Sequence, residues 1–170
     1  MTAGDVLDVL GRLEEAGISY RLDGGWGVDA LVGRDTRAHL DLDLVVAVED
    51  VPRIESLLSD HEFERVPDEP GFIVLRDPSG RKVDLHAVRF DDEGNGWQQL
   101  GNDKWGIYPA ADLDASGIVG GREVPCISPM LQLRHHLGYE WDENDRHDLG
   151  LLAARFGTPL PPVSASARAE

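Results

Sequence analysis

The stretch DGGWGVDALVGRDTRAHLDLDLVV, residues 23–46, has two adjacent glycines at one end and two aspartates, Asp41 and Asp43, near the other. A glycine pair between a strand and a helix leaves backbone N–H groups free at the helix N-terminus, where anions bind. Asp41 and Asp43 are two positions apart, so on a strand they project from the same face. Neighbouring carboxylates repel each other unless a cation lies between them. Because Mg2+ prefers carboxylate and phosphate oxygens, the stretch predicts a site for a metal–triphosphate complex.

Each half of this pattern also has an ordinary interpretation. Gly24 and Gly25 could form a plain tight turn, since neither the G-x-G-x-x-G pattern nor a P-loop Gly-Lys-Ser/Thr is present. Asp41 and Asp43 could lie on an exposed strand face. Asp84, in KVDLHAV, is a third acid on a second apolar strand, and taken alone it would be an ordinary strand-edge acid. The three acids and the glycine pair together favour the metal–triphosphate site.

The rest of the sequence predicts helices alternating with short strands. Helices are predicted for residues 2–15, 26–32, 50–58, 130–138 and 142–156. Strands are predicted for residues 18–22, 39–48, 63–66, 72–76 and 81–88, with a hairpin or loop at 90–106 and two more strands near 117–125. This order indicates an α+β fold, a mixed sheet flanked by helices. We expect a core at 1–125, a C-terminal helical segment at 126–156 and a flexible Pro/Ala/Ser-rich tail at 157–170.

Composition restricts the partners that the chain can have. A formal net charge of -16 repels the phosphates of DNA and RNA, whereas it attracts metal cations and basic small molecules. No apolar run is long enough to cross a bilayer, and the N-terminus lacks the basic and apolar regions of a signal peptide. Cys126 is the single cysteine, which excludes an internal disulfide. We therefore expect a cytoplasmic protein with neither a nucleic-acid nor a membrane partner.

The block YRLDGGWGVDALVGRDTRAHLDLDL, residues 20–44, resembles the lincosamide nucleotidyltransferases and the related aminoglycoside 2''-nucleotidyltransferases of the polymerase-β-type superfamily. The resemblance continues through VDLHAV, VPCIS and HHLGYEWDENDRHDL, and so covers most of the chain. It implies a polymerase-β-like nucleotidyltransferase core with a small C-terminal helical segment. One departure is Trp26, because a serine often follows the glycines in the wider superfamily; a tryptophan there fits the antibiotic-modifying subgroup.

The resemblance also implies roles for the residues of the opening stretch. Gly24 and Gly25 would bind the triphosphate of the nucleotide. Asp41, Asp43 and Asp84 would bind two Mg2+ ions that stabilise the attacking and leaving oxygens of an in-line displacement. Asp84 is in addition a candidate to take the proton from the acceptor hydroxyl.

Five further residues are candidates for the same site. Arg37 and His39 would contact the phosphates, with a solvated turn as the alternative interpretation. His86 lies two residues after Asp84 and so on the same strand face, which makes it a candidate for the substrate pocket. His136 matches a histidine of the resembling enzymes and is a pocket candidate with Tyr139; a buried structural histidine and core packing are the alternatives.

The activity that the resemblance implies is transfer of an NMP, with ATP as the expected donor, to a hydroxyl of a small antibiotic-like acceptor, with release of pyrophosphate. A lincosamide is the favoured acceptor, and an aminoglycoside is the next candidate because the acidic chain would attract a cationic substrate. The resemblance also implies a homodimer. The alternative is a non-catalytic nucleotide-binding or antitoxin-like protein-interaction module, which would have no use for three converging carboxylates.

Overall fold

A nine-stranded mixed sheet forms the centre of the fold in the computed structural model, which describes residues 1–67, 73–101, 103–157 and 160. The strands are β1 (Tyr20–Asp23), β2 (Asp41–Ala47), β3 (Glu64–Arg65), β4 (Ile73–Arg76), β5 (Lys82–Phe90), β6 (Gly96–Gln99), β7 (Trp105–Tyr108), β8 (Ala115–Val119) and β9 (Arg122–Cys126). Their order is β3-β4-β5-β2-β1-β9-β8, and β6 and β7 extend from β5 as a hairpin. β2 runs parallel to β5 and β1 parallel to β9, while the other pairs are antiparallel.

Helices flank this sheet and confirm the predicted α+β class. They are α1 (Ala3–Glu15), α2 (Gly24–Val32), α3 (Val51–Ser59), α4 (Pro129–His135) and α5 (Glu143–Phe156). Thr2 and Asp142 begin α1 and α5 with reciprocal capping boxes, which satisfy N–H groups that a helix start leaves free. Within the described ranges, no helix is long and apolar enough to cross a bilayer.

The predicted elements are present, with shifted ends that have local causes. α2 begins two residues before the predicted start, because the Asp23 carboxylate accepts a hydrogen bond of 2.7 Å from the Gly24 N–H and caps the helix. β5 extends to Phe90 because its last residues pair with β6. The boundary expected after residue 125 falls inside β9. Phe72 and most of the expected tail lie outside the described residues.

The alternation of β2 separates the core from a polar face of the sheet. Leu42, Leu44 and Val46 are buried in the main apolar cluster, which also contains side chains of all five helices. Asp41 and Asp43 alternate with them and therefore project from the opposite face. A smaller apolar cluster lies farther along that face, and its members are Val45, Val88, Tyr108, Leu113, Ile127 and Leu131. The main core thus supports a sheet whose other face is available for a site.

Gly117→Ala is expected to lower the free energy of unfolding by about 1–3 kcal/mol. Gly117 of β8 lies against the backbone of α2, and an added Cβ would overlap the Ala30 carbonyl group and lie 2.7 Å from the Leu31 nitrogen. Displacing these backbone atoms would distort α2 and therefore costs free energy. Urea unfolding would measure the loss. Gly11→Ala is the matched control, because a Cβ there meets no atom of the described residues within 4 Å. This change should stabilise α1 by up to about 1 kcal/mol, and equal effects of the two changes would contradict the prediction.

Candidate active site

Three aspartates on neighbouring strands form a row across the centre of the sheet. Asp43 of β2 is the register partner of Asp23 on β1 and of Asp84 on β5. Register partners project from the same face, so the three carboxylates stand side by side. We call Asp23, Asp43 and Asp84 the acid row. Strand pairing thus brings together two predicted acids, Asp43 and Asp84, and adds a third that the sequence analysis does not identify.

Asp41, the remaining predicted acid, lies at the edge of the acid row. Its register partner is Lys82, whose Nζ is 3.2 Å from the Asp41 carboxylate and 3.6 Å from that of Asp84. The Asp41 side chain is 39% exposed, compared with 19% for Asp43 and 13% for Asp84. Lys82 therefore offsets part of the negative charge on the more exposed side of the site.

His86 lies on the other side of the acid row. Its Nδ1 is 3.1 Å from Asp23 Oδ2, and its Nε2 is 3.7 Å from Asp43 Oδ1. Burial opposes a charge on the ring, but the hydrogen bond to Asp23 and the charges of Asp23, Asp43 and Asp84 outweigh it and raise the pKa of His86 to about 9. In the absence of a bound metal ion, this pKa corresponds to a positively charged ring at neutral pH.

The acid row has the properties of a cation site. Burial raises the pKa of Asp43 to about 7; His86 partly offsets this, while the charges of Asp41, Asp23 and Asp84 add to it. Burial also raises the pKa of Asp84, whose Oδ1 is buried and has no hydrogen-bond partner among the described residues. A cation would stabilise an unpartnered carboxylate oxygen among repelling acids. The residues present therefore fit a bound divalent cation.

The first turn of α2 packs directly on the acid row. Gly24 has a φ of +55°, and an added Cβ there would overlap the Asp43 carboxylate. A Cβ at Gly25 would overlap the side chains of His39 and Arg37. Both glycines are thus required by close approach, and the structure brings the glycine pair, the acids and these two predicted phosphate contacts to one place.

Arg37 and His39 are held beside Gly25 by acidic partners. Arg37 donates hydrogen bonds of 3.0 and 2.6 Å to Asp148 of α5, a residue to which the sequence analysis assigns no role. His39 is buried, and its Nε2 is 2.6 Å from Asp29 Oδ2 in α2. Each side chain is therefore fixed by a partner on a neighbouring element.

Asp23 is the centre of a hydrogen-bond network that the sequence analysis misses. Its Oδ1 caps α2, while its Oδ2 is 3.1 Å from His86 Nδ1, 3.3 Å from His135 Nδ1 and 3.5 Å from the Tyr108 hydroxyl. Burial would raise the pKa of Asp23, but hydrogen bonds from His135 and His86 outweigh it and hold this pKa well below its usual range. The sequence contains one sign that His135 faces the interior. His135 follows Leu131 by four residues, so the two share a helix face, and the apolar Leu131 indicates that this face is buried.

His136 and Tyr139 lie at the connection between α4 and α5. His136 Nδ1 is 2.8 Å from the Gln132 carbonyl oxygen, and its Nε2 is 3.3 Å from Asp145. The Tyr139 hydroxyl donates a hydrogen bond of 3.3 Å to the same Asp145. In the part of the chain that the structure describes, no hydrogen bond joins either residue to the acid row, whereas His86 is in contact with it.

The stability of the metal-free protein is expected to fall above neutral pH because of His86. The pKa of His86 is raised from 6.5 to about 9 in the fold, so its stabilising contribution is complete below pH 6.5 and is lost as the pH rises through 9. Urea unfolding in EDTA should show a loss of up to about 3 kcal/mol over this interval. His86→Asn should flatten the curve, and a flat wild-type curve would contradict the prediction.

Comparisons with known proteins show what this chain is similar to. Residues 5–152 match the family model described as aminoglycoside-2''-adenylyltransferase. The chain is 30% identical over 151 residues to a lincosamide resistance protein of Staphylococcus haemolyticus, covering 88% of this chain and 92% of that protein. It is 28% identical over 120 residues to a 2''-aminoglycoside nucleotidyltransferase of Klebsiella pneumoniae, covering 71% of this chain and 64% of that protein.

A solved structure supports the same relationship. The lincomycin-bound crystal structure of the lincosamide antibiotic adenylyltransferase LnuA is similar with a TM-score of 0.81 and 27% sequence identity. The similarity covers 91% of this chain and 98% of that chain. These matches confirm the resemblance and the polymerase-β-like nucleotidyltransferase fold that the sequence predicts.

Proposed function

The chain belongs to the aminoglycoside-2''-adenylyltransferase family and is a nucleotidyltransferase, and we propose that it transfers AMP from ATP, with Mg2+, to a hydroxyl of a lincosamide and releases pyrophosphate. The acid row carries this proposal, because Asp43 and Asp84 are paired in register beside the N-terminus of α2. The lincosamide class is supported by the relative from Staphylococcus haemolyticus, which matches over nearly its whole length. An aminoglycoside is the second candidate, supported by the net charge of -16.

Asp41, Asp43 and Asp84 are the residues that would hold two Mg2+ ions. Such ions, when bound, supply positive charge to the attacking and leaving oxygens of the displacement. Two observations support the fit: the buried Asp84 Oδ1 has no hydrogen-bond partner among the described residues, and the pKa of Asp43 is raised. Lys82 keeps the acids partly neutralised before nucleotide and metal arrive.

The first turn of α2 would bind the triphosphate. Backbone N–H groups after Gly24 and Gly25 and the positive end of the helix dipole attract phosphate oxygens, and the missing side chains allow them to approach closely. Arg37, oriented by Asp148, would add a positive charge to this triphosphate site. His39, oriented by Asp29, would present its Nδ1 side next to Gly25.

Asp84 would take the proton from the acceptor hydroxyl. Burial raises the pKa of this carboxyl, which makes its ionised form a stronger base than an exposed aspartate. Lys82, 3.6 Å from the Asp84 carboxylate, holds the side chain in place.

We also propose that the enzyme acts in the cytoplasm, where ATP is available, and that it forms a homodimer. The dimer is an implication of the family resemblance. Light scattering coupled to size-exclusion chromatography would test it, with a single monomeric peak as the contrary result.

The reaction can be tested with purified protein, ATP and Mg2+ in the presence of lincomycin or tobramycin. We expect acceptor-dependent pyrophosphate release and an adenylylated product detected by mass spectrometry. Lincomycin should give a kcat/KM at least about tenfold higher than tobramycin. If neither acceptor supports pyrophosphate release from any of the four common NTPs, the proposed activity is wrong; a preference for tobramycin would correct the substrate class alone.

A further inference from the structure

His86 has the orientation of a metal-binding histidine. Its Nδ1 lies between two fixed partners, Asp23 Oδ2 at 3.1 Å and the Tyr108 hydroxyl at 3.0 Å. Its Nε2 faces Asp43 Oδ1 at 3.7 Å. A histidine that binds a metal generally donates its other ring N–H to a carboxylate, which fixes both the ring and the tautomer. Asp23 is positioned to do this for His86.

The donor atoms around Nε2 are close enough to share one ion. One ligand atom each from Asp43, Asp84 and His86 lies within 4.8 Å of the other two. Around an octahedral ion with bonds of about 2.1 Å, adjacent donors lie about 3 Å apart and opposite donors about 4 Å apart, so small side-chain movements suffice. The buried Asp84 Oδ1, which has no hydrogen-bond partner in the described part of the chain, is an independent sign that a cation belongs among them.

We infer that His86 Nε2 is a ligand of the metal ion held by Asp43 and Asp84, and that this ion is held more tightly when it is Mn2+ or Co2+ than when it is Mg2+. An imidazole nitrogen suits transition-metal ions, whereas Mg2+ prefers oxygen ligands. Asp41 lies outside this group of three and faces Lys82. The inference rests on the proposed function, since it concerns the metal site of that reaction.

A counter-charge is the competing role for His86. A protonated ring would neutralise Asp23 and Asp43 and would compete with divalent cations for the acid row. The two roles predict opposite results when the ring is removed. Loss of a ligand weakens metal binding, whereas loss of a competing cation strengthens it.

The test uses nucleotide-free, full-length protein with Mn2+ as a paramagnetic probe. Pulsed EPR should detect coupling between bound Mn2+ and an imidazole nitrogen in the wild type, and this coupling should disappear in His86→Asn. In calorimetric titrations, Co2+ affinity should fall about 10- to 100-fold in His86→Asn. Mg2+ affinity should fall less, so that the preference for Co2+ over Mg2+ decreases.

Two variants serve as controls. His135→Asn is the matched control, because His135 Nδ1 also faces Asp23, at 3.3 Å, but is not a member of the group of three. It should keep the nitrogen coupling and the Co2+ affinity. Lys82→Met removes a cation beside Asp41 and Asp84, and it should strengthen the binding of both metals. Removal of a counter-charge thus has the opposite effect to the loss of a ligand that we expect for His86→Asn.

Three results would overturn the inference: no nitrogen coupling in the wild type, coupling that survives in His86→Asn, or a rise in Co2+ affinity in that variant. Pyrophosphate release alongside any of these results would leave the proposed function in place. Complete absence of Mn2+, Co2+ and Mg2+ binding, with or without nucleotide, would count against both.

Discussion

Asp43→Asn is expected to lower kcat roughly 10³-fold while the metal-free protein becomes more stable. Asp43 is the middle member of the acid row, so the change removes charge where the cations of the proposed reaction would bind. The amide keeps the size of the side chain. Burial raises the pKa of Asp43 from 3.8 to about 7, which means that its ionised form opposes folding increasingly as the pH rises through this interval. At pH 8 the variant should gain about 1–3 kcal/mol of unfolding free energy.

The pyrophosphate assay and urea unfolding in EDTA measure the two effects of Asp43→Asn separately. Below about pH 4 the stability gain should disappear, because Asp43 is then protonated in both the folded and the unfolded state. Asp92→Asn is the matched control, since Asp92 is an exposed acid in the β5–β6 turn and its substitution removes the same formal charge. It should change neither property. An Asp43→Asn enzyme that keeps more than about a tenth of wild-type kcat would contradict the assigned role.

Gly24→Ala is expected to reduce kcat/KM about 100-fold and stability by about 1–3 kcal/mol. The reduction has two physical causes. The φ of +55° at Gly24 is unfavourable for any residue with a Cβ, and the added methyl would overlap the Asp43 carboxylate. Moving Asp43 disturbs the acid row, while shifting the helix start moves the N–H groups of the proposed triphosphate site. Steady-state kinetics with ATP varied, together with urea unfolding, would measure both losses.

Gly33→Ala separates backbone strain from steric overlap. Gly33 ends α2 with a φ of +84°, and a Cβ there meets no atom within 4 Å in the ranges that the structure describes. The control should therefore lose about 1–2 kcal/mol of stability from strain alone and keep its activity. If both variants lose activity equally, close approach between Gly24 and Asp43 is not what the reaction requires.

Strand alternation made the orientation of the acids predictable, but not their pairing. Asp41 and Asp43 are predicted to share a face because side-chain direction on a strand is fixed by local geometry. The register that sets Asp43 beside Asp84 depends on the parallel pairing of β2 with β5, and α3, β3 and β4 lie between these strands in the chain. No pattern within either segment specifies that register, because it is determined when both strands bury their apolar faces.

The contacts that the sequence does not predict depend on packing between distant elements. Asp23 has an ordinary local role as the cap of α2, which conceals its contacts with β5 and α4. The contact of His135 with Asp23 depends on how α4 packs against β1. His136, one residue later, instead contacts Asp145. The orientation of α4 about its own axis thus determines which of the two histidines contacts the acid row. That orientation is set by the packing of the helix against the rest of the fold.

The position of β1 between β2 and β9 has a consequence for synthesis on the ribosome. Leu22 of β1 pairs with Cys126 of β9, so one edge of β1 stays open until β9, about 100 residues later in the chain, has been translated. An open strand edge can pair wrongly, and closing so long a loop slows folding. His135, which completes the network around Asp23, is translated later still. A nascent chain therefore contains all three members of the acid row well before β9 and His135, which flank Asp23 in the fold, have been synthesised.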